Sequence, residues 1–321
     1  MFCISVRRIR NGKFDDEPVI GQTRYLDVPA GVTPAPEHQI PRSEWVRRVM
    51  ASFSAGPGGQ GTVGDLTLFV HGYNTSVASA ARRQGRLQEG LSAVGFSTTV
   101  ISFDWPSGTT PIGYLEDRHD ARITAMRLVT DGIRLLIAAR RPDCEVNIHV
   151  VAHSMGAYVV REAFDDADDS RAAESNWTAN QVVLVAGDVS AASLTAGNSS
   201  SDSLYRHTAR LTNYYNRFDA VLQVSNVKRV GLSPRVGRVG LPLLAPAKGV
   251  DVDCSARFEE LRQAEELDHG DVNAGHNFYF NDPTFYKDLA ATLLGRVDRI
   301  ALPTRAPLAG GGPNSFMLKT G

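Results

Sequence analysis

Ser154 stands in the string Val150-Val151-Ala152-His153-Ser154-Met155-Gly156-Ala157. The largely apolar run from Val146 to Val151 reads as a strand, and a helical pattern begins directly after the serine. A serine on so tight a strand-to-helix turn is held with a strained backbone and an exposed hydroxyl, the geometry of a nucleophile elbow. Strand and helix approach closely only if the residues two before and two after the serine are small. Ala152 and Gly156 hold those positions, with alanine where glycine is usual. A serine that merely caps a helix would produce a similar string, so the rest of a nucleophilic site has to be found elsewhere in the chain.

A hydroxyl is a poor nucleophile near neutral pH and needs a base. A histidine base needs an acid to fix its tautomer and support its charged form. The tetrahedral oxyanion needs backbone N–H donors already in place. Where the serine occupies such an elbow, acid and then histidine follow it in the chain, and one oxyanion donor precedes it.

Upstream, Asp65-Leu66-Thr67-Leu68-Phe69-Val70 reads as a strand buried on both faces, running into His71-Gly72-Tyr73-Asn74. A helix follows, capped by Thr75 or Ser76. The backbone N–H groups of Tyr73 and Met155 are the expected oxyanion donors. His71 belongs to the turn and the substrate pocket, because the base should come last in the chain.

Downstream, two strand ends offer an acid: Asp188 after Val182–Gly187, and Asp219 after Leu211–Phe218. Asp219 caps a new helix at a late strand end and suits the role better, which leaves Asp188 to line the site. His276, in Gly275-His276-Asn277-Phe278 ahead of a helical pattern over 283–294, suits the base better than the polar His269. Trp105 follows a strand beginning at Thr98. With Tyr114 it is expected to bind substrate or to pack beneath the 107–116 loop. His149 and His153 lie four apart on a strand and its turn, not on one helix face, and no Cys/His cluster exists, so no metal and no cofactor is expected.

Together these residues resemble the α/β-hydrolase-fold proteins grouped as DUF900 and described as esterase/lipase-superfamily enzymes. The likeness is carried by Phe69-Val70-His71-Gly72-Tyr73-Asn74, Ser102-Phe103-Asp104-Trp105-Pro106-Ser107, Gly113-Tyr114-Leu115-Glu116-Asp117-Arg118, Ala152-His153-Ser154-Met155-Gly156 and Gly275-His276-Asn277-Phe278-Tyr279-Phe280. Ser5-Val6-Arg7-Arg8 with Gly12-Lys13-Phe14 resembles the family's leading strand. The resemblance spans roughly residues 1 to 295 and implies a triad of Ser154, Asp219 and His276. It departs at Gly187-Asp188, where a proline before the aspartate would be usual, so the role of Asp188 stays open.

Composition agrees with an ordinary globular enzyme: 321 residues, 42% hydrophobic, 21% charged, net charge −1. That balance gives no reason to expect nucleic acid as a partner. The basic pairs Arg82-Arg83 and Arg140-Arg141 read as solvated helix residues. Three scattered cysteines are not a disulfide framework. No apolar run reaches the length of a membrane span, and the N-terminus lacks a signal-peptide core, so a cytoplasmic enzyme is expected.

The positioning elements alternate. Strands are expected at 2–9 and 23–29, forming an antiparallel pair at a sheet edge, and then at 66–70, 98–104, 146–152, 181–187, 210–216 and 250–254. Helices are expected within 39–53 and at 76–94, 116–141, 155–166 and 283–294. The fold expected is α/β, an α/β-hydrolase fold with a mostly parallel central sheet and helices on both faces. One domain should cover 1–300. Residues 167–178 and 192–203 read as exposed loops, 227–249 as a lid or a surface connector, and 301–321 as a disordered tail. The expected activity is cleavage of small-molecule carboxylic esters or thioesters through an acyl-enzyme. The alternatives are an acyltransferase on the same triad and a binding protein that keeps the fold without catalysis.

Overall fold

The computed structural model describes residues 1–17, 19–55, 62–107, 124–140, 144–168, 177–227, 233–267 and 270–319. Its strands are β1 (Phe2–Arg7), β2 (Ile9–Arg10), β3 (Lys13–Phe14), β4 (Ile20–Asp27), β5 (Ser54–Ala55), β6 (Thr62–Val70), β7 (Thr99–Asp104), β8 (Cys144–His153), β9 (Ala179–Val185), β10 (Thr208–Tyr215), β11 (Gly249–Asp253), β12 (Arg305–Pro307) and β13 (Ser315–Leu318). Among the described residues one sheet runs in the order β12-β13-β11-β10-β9-β8-β6-β7-β1-β4, with β5 joined to β6. Pairing is parallel from β1 through to β13. It is antiparallel at the edges, β4 on β1 and β12 on β13. The short β5 also pairs antiparallel with β6.

Parallel strands buried on both faces need apolar side chains at successive positions, and these strands have them. Along β6, Leu66, Leu68 and Val70 enter one core cluster while Phe69 enters the other. Along β8, Val146, Ile148, Val150 and Ala152 join the first and Val151 the second. The period of two thus serves two cores, one on each face. The helix Val77–Ala93 opens at Ser76, whose hydroxyl accepts the Ser79 N–H. The helix Pro283–Leu294 opens at Asp282, which accepts from Thr284 and Phe285, and stops at Gly295 with φ +63°.

Two expectations are corrected, and one left open is decided. Residues 305–307 and 315–318 are edge strands, not a disordered tail. Arg305 is buried against Asp288 (Nη2–Oδ2 2.7 Å), and Phe316 and Leu318 enter the second core. Gly311 helps close the turn between the two strands, its N–H donating to Leu308 O. Within 192–203, the helix Ser199–Arg206 replaces the expected exposed loop. Its Asn198 cap accepts from Ser200, and Ser201, Ser203, Leu204 and Tyr205 are buried. A run of serines reads as loop, but here the serines are small enough to pack.

The described part of 227–249 is a packed connector, not a lid. Val236 N donates to Val189 O, Gly237 N to Gly187 O, Asn216 N to Gly237 O and Ala196 N to Leu244 O. A Cβ on Gly237 would lie 2.2 Å from the Ala186 carbonyl carbon, so this backbone sits directly on the β9 loop. The expected helix over 116–141 is described from residue 124 onward, as a helical stretch containing a π-turn at Leu128–Ile133.

Candidate active site

The carboxyl ends of β6, β7, β8, β9 and β10 lie side by side, which is where open α/β sheets bind ligands. Ser154 follows β8 at φ +55°. A non-glycine residue in that left-handed region is strained and persists only where its surroundings over-determine it. Here they do. Ser154 N donates to Val185 O at 3.0 Å, and Ser154 O accepts from Ala157 N and Asp188 N at 3.0 and 2.9 Å. Gly156 lets the following helix, Met155–Asp168, press on β6: a Cβ there would lie 2.3 Å from Val70 O and 2.6 Å from His71 O. Gly72 does the same from the other side, since its Cβ would fall 2.8 Å from the Ser154 Cβ. The His71–Asn74 turn therefore lies directly against the serine. Met155 heads the elbow helix, whose first N–H groups carry partial positive charge.

Asp219 and His276 meet as the sequence leads one to expect. His276 Nδ1 lies 2.6 Å from Asp219 Oδ2, and both residues are buried. The other carboxylate oxygen of Asp219 accepts the Leu222 N–H at 2.9 Å. Asn216 ties the acid loop to the base loop, its amide donating to Gly275 O at 2.8 Å and its oxygen accepting from Phe218 N at 3.1 Å. His153, next to the serine, places its Nε2 3.1 Å from His276 O, with the two rings 4.8 Å apart. Burial, then the nearby His276, push the pKa of His153 well below the usual value, so it stays neutral beside the second histidine. Spacing rules miss Asn216 and His153 because their partners lie 59 and 123 residues away. The Gly275-His276 pair, which must be received by something polar, was the available signal.

Beneath the His71–Asn74 turn lies a buried charge network. Arg7 Nε donates to Asp104 Oδ1 at 2.8 Å, and Arg7 Nη2 donates to Thr75 O at 2.7 Å. His71 Nδ1 donates to Gly72 O at 2.9 Å, while its Nε2 accepts the Trp105 N–H at 3.2 Å and lies 3.2 Å from Asp104 Oδ1. Burial raises the Asp104 pKa, but Arg7 and His71 outweigh it and hold the carboxyl down at about 2. Burial lowers the pKa of His71.

The expected substrate-binding residues fare differently from the acid and base. His71 and Trp105 are both 0% exposed. The Trp105 indole stacks on His71 and donates to His71 O at 2.8 Å, so both pack beneath the turn rather than line a pocket. Asp188 is buried in an ion pair with Arg235 (Oδ1–Nε 3.1 Å), which occupies its carboxylate. Tyr114 and His269 fall outside the described residues.

This strand order, with a strained serine between β8 and its helix, defines an α/β-hydrolase-fold protein. The chain belongs to the family described as alpha/beta hydrolase of unknown function (DUF900), which it matches over residues 60–295. No curated protein matches it. Among solved structures it is similar to a cutinase-like protein from Cryptococcus sp., at 17% identity and TM-score 0.36 over 76% of this chain and 98% of that one. It is also similar to a hyperthermophilic esterase from Pyrobaculum calidifontis, at 16% identity and TM-score 0.32 over 72% and 76%. An esterase/lipase from an uncultured bacterium matches at 12% identity and TM-score 0.32 over 83% and 94%.

Proposed function

We propose that the protein is a serine hydrolase of small-molecule carboxylic esters or thioesters. Ser154 Oγ attacks the carbonyl carbon while His276 Nε2 takes its proton. Asp219 holds the opposite ring nitrogen as N–H and stabilises the imidazolium. The oxyanion is received by the backbone N–H groups of Tyr73 and Met155. Collapse expels the alcohol or thiol, which leaves with the proton from His276, and the acyl group stays on Ser154. Water, deprotonated by His276, then attacks the acyl-enzyme, and the acid is released as the serine regains its proton. The observation that carries this reading is the buried His276–Asp219 contact of 2.6 Å held against the elbow by His153.

The test is labelling of the purified protein with a fluorophosphonate probe, followed by intact mass. A single adduct that disappears in Ser154→Ala is expected. Absence of labelling in the wild type, or labelling that survives the substitution, overturns the assignment.

A further inference from the structure

Next to this site the described residues include a half-buried cation, Arg83, with no counter-ion among them. Arg83 lies in the second turn of the helix Val77–Ala93, which follows the His71–Asn74 turn. It is half-buried rather than solvated, contrary to the sequence expectation for the Arg82-Arg83 pair. Its Nη1 donates to Thr75 Oγ1 at 3.2 Å, and that hydroxyl reaches Gly72 O at 3.0 Å and Tyr73 O at 3.2 Å. No carboxylate among the described residues pairs with it. The nearby acids are committed elsewhere: Asp104 and Asp16 to Arg7, Asp188 to Arg235, and Asp282 to Arg257.

The helix register sets where the head group lies. Gly90 is covered by the ring of Tyr286, and Arg86 reaches Asn281 (Nη1–Oδ1 3.4 Å). One turn nearer the helix start, Arg83 is close enough for its charge to act on His153, whose ring lies 4.8 Å from that of His276. It therefore stands against the turn expected to hold the oxyanion and within electrostatic reach of the histidine that contacts the base.

The turn does not need Arg83 to keep its shape. Thr75 is already held through its carbonyl by Arg7 and through its N–H by Ser107 Oγ at 3.2 Å. A guanidinium carries five N–H donors, and one hydrogen bond to a neutral hydroxyl uses one of them. Burial and the flanking Arg86 and Arg82 all act against its charge. A cation kept half out of water among like charges is an unfavourable arrangement that an incoming anion would relieve.

We propose that Arg83 is an anion-recognition residue of the active site, and that the substrate ester carries a carboxylate or phosphate group seated on it. The proposal rests on the hydrolase reading above and names its substrate class. The planar guanidinium fork suits either anion.

The test compares matched esters that differ in charge. One pair is 4-acetoxybenzoate and 4-acetoxybenzamide, with 4-acetoxyphenyl phosphate as the phosphate arm. A second pair places the charge on the acyl side, the 4-nitrophenyl monoester of adipic acid against 4-nitrophenyl hexanoate. In at least one pair the wild type should prefer the anion by about tenfold or more in kcat/KM. Arg83→Gln should bring that ratio close to one, and Arg83→Lys should retain part of it. Because the readout is a ratio within one protein, a general loss of activity leaves it interpretable. A wild-type ratio near or below one in every pair overturns the proposal. So does an Arg83→Gln protein that loses both members of a pair equally, which would mark a positioning role. Calorimetric binding of the same compounds to Ser154→Ala, with and without Arg83→Gln, separates the two claims. Arg83-dependent anion binding without wild-type turnover would overturn the hydrolase reading and leave the anion site standing. Turnover with no charge preference would do the reverse.

Discussion

Asp219 and Asp188 are both buried aspartates that follow strands beside Ser154, and their partners divide their roles. Asp219 faces an imidazole, while Asp188 faces a guanidinium. Asp219→Asn keeps the volume but removes the charge that fixes the His276 tautomer, so kcat on a neutral ester should fall by about 10⁴-fold. Its unfolding midpoint should move little. Asp188→Ala instead removes the buried carboxylate that pairs with Arg235, and breaking a buried pair of this kind costs about 3–5 kcal/mol. Urea unfolding of the two variants beside their kcat values reads both effects. If Asp188→Ala were the catalytically dead variant and Asp219→Asn the unstable one, the assignment would be reversed. The sequence favours Asp219 on chain order alone, and order says nothing of Arg235, which lies 47 positions beyond Asp188. The same holds for Arg7 and Asp104, which join the neighbouring strands β1 and β7 across 97 residues. Side-chain pairs of this kind follow no spacing rule, so they become visible only in the folded chain.

At the scale of elements, the elbow depends on a helix lying closer to a strand than a side chain permits. Gly156→Ala would drive a methyl group into the carbonyl oxygens of Val70 and His71, which are backbone atoms and cannot rotate away. Overpacking of this kind costs about 1–3 kcal/mol. The elbow helix should also move off β6 and carry the Met155 N–H with it. Fluorophosphonate labelling should therefore slow, and the melting temperature should fall. Gly85 is the internal contrast. It lies inside the helix Val77–Ala93 with nothing within 4 Å of its Cβ position, so Gly85→Ala should stabilise by about 0.5–1 kcal/mol. Equal effects at both glycines would show that close approach is not what Gly156 provides. The small–Ser–small string made this junction readable in advance, because the constraint is local. The helix Pro283–Leu294 was readable for the same reason, since Asp282 and Gly295 mark its two ends. For 227–249 the sequence leaves lid and connector open, and for 301–321 it points to disorder, because glycine and proline signal an irregular backbone without saying whether it is packed. What anchors these segments are hydrogen bonds to distant loops and the buried Arg305–Asp288 pair.

For the whole molecule, the buried titratable groups set opposing dependences on pH. The folded-state pKa of Asp104 lies below the usual 3.8, so its stabilisation is full above that value and lost as pH falls toward about 2. His71 and His153 are also held low, by burial, and they take up protons more readily when unfolded. Their contribution is therefore present above the usual histidine value of 6.5 and shrinks as pH falls below it. Asp251 works the other way. Burial raises its pKa to about 7, against the hydrogen bonds from Asn213 (2.7 Å) and Leu241 N (2.9 Å). No cation pairs with it among the described residues. Its stabilisation is full below 3.8 and lost as pH rises through about 7. Asp104 is already fully ionised at about pH 4, so across this range two histidines stand against one aspartate, and the wild type should melt at a lower temperature near about pH 4 than near about pH 7. Asp251→Asn cannot titrate, so this variant should gain on the wild type steadily as pH rises across that range. Thermal melts of both proteins at several pH values give the difference directly. A difference that stays constant with pH would mean that Asp251 is already ionised in the fold, with its charge met by a partner. A difference that shrinks as pH rises would reverse the sign assigned to it.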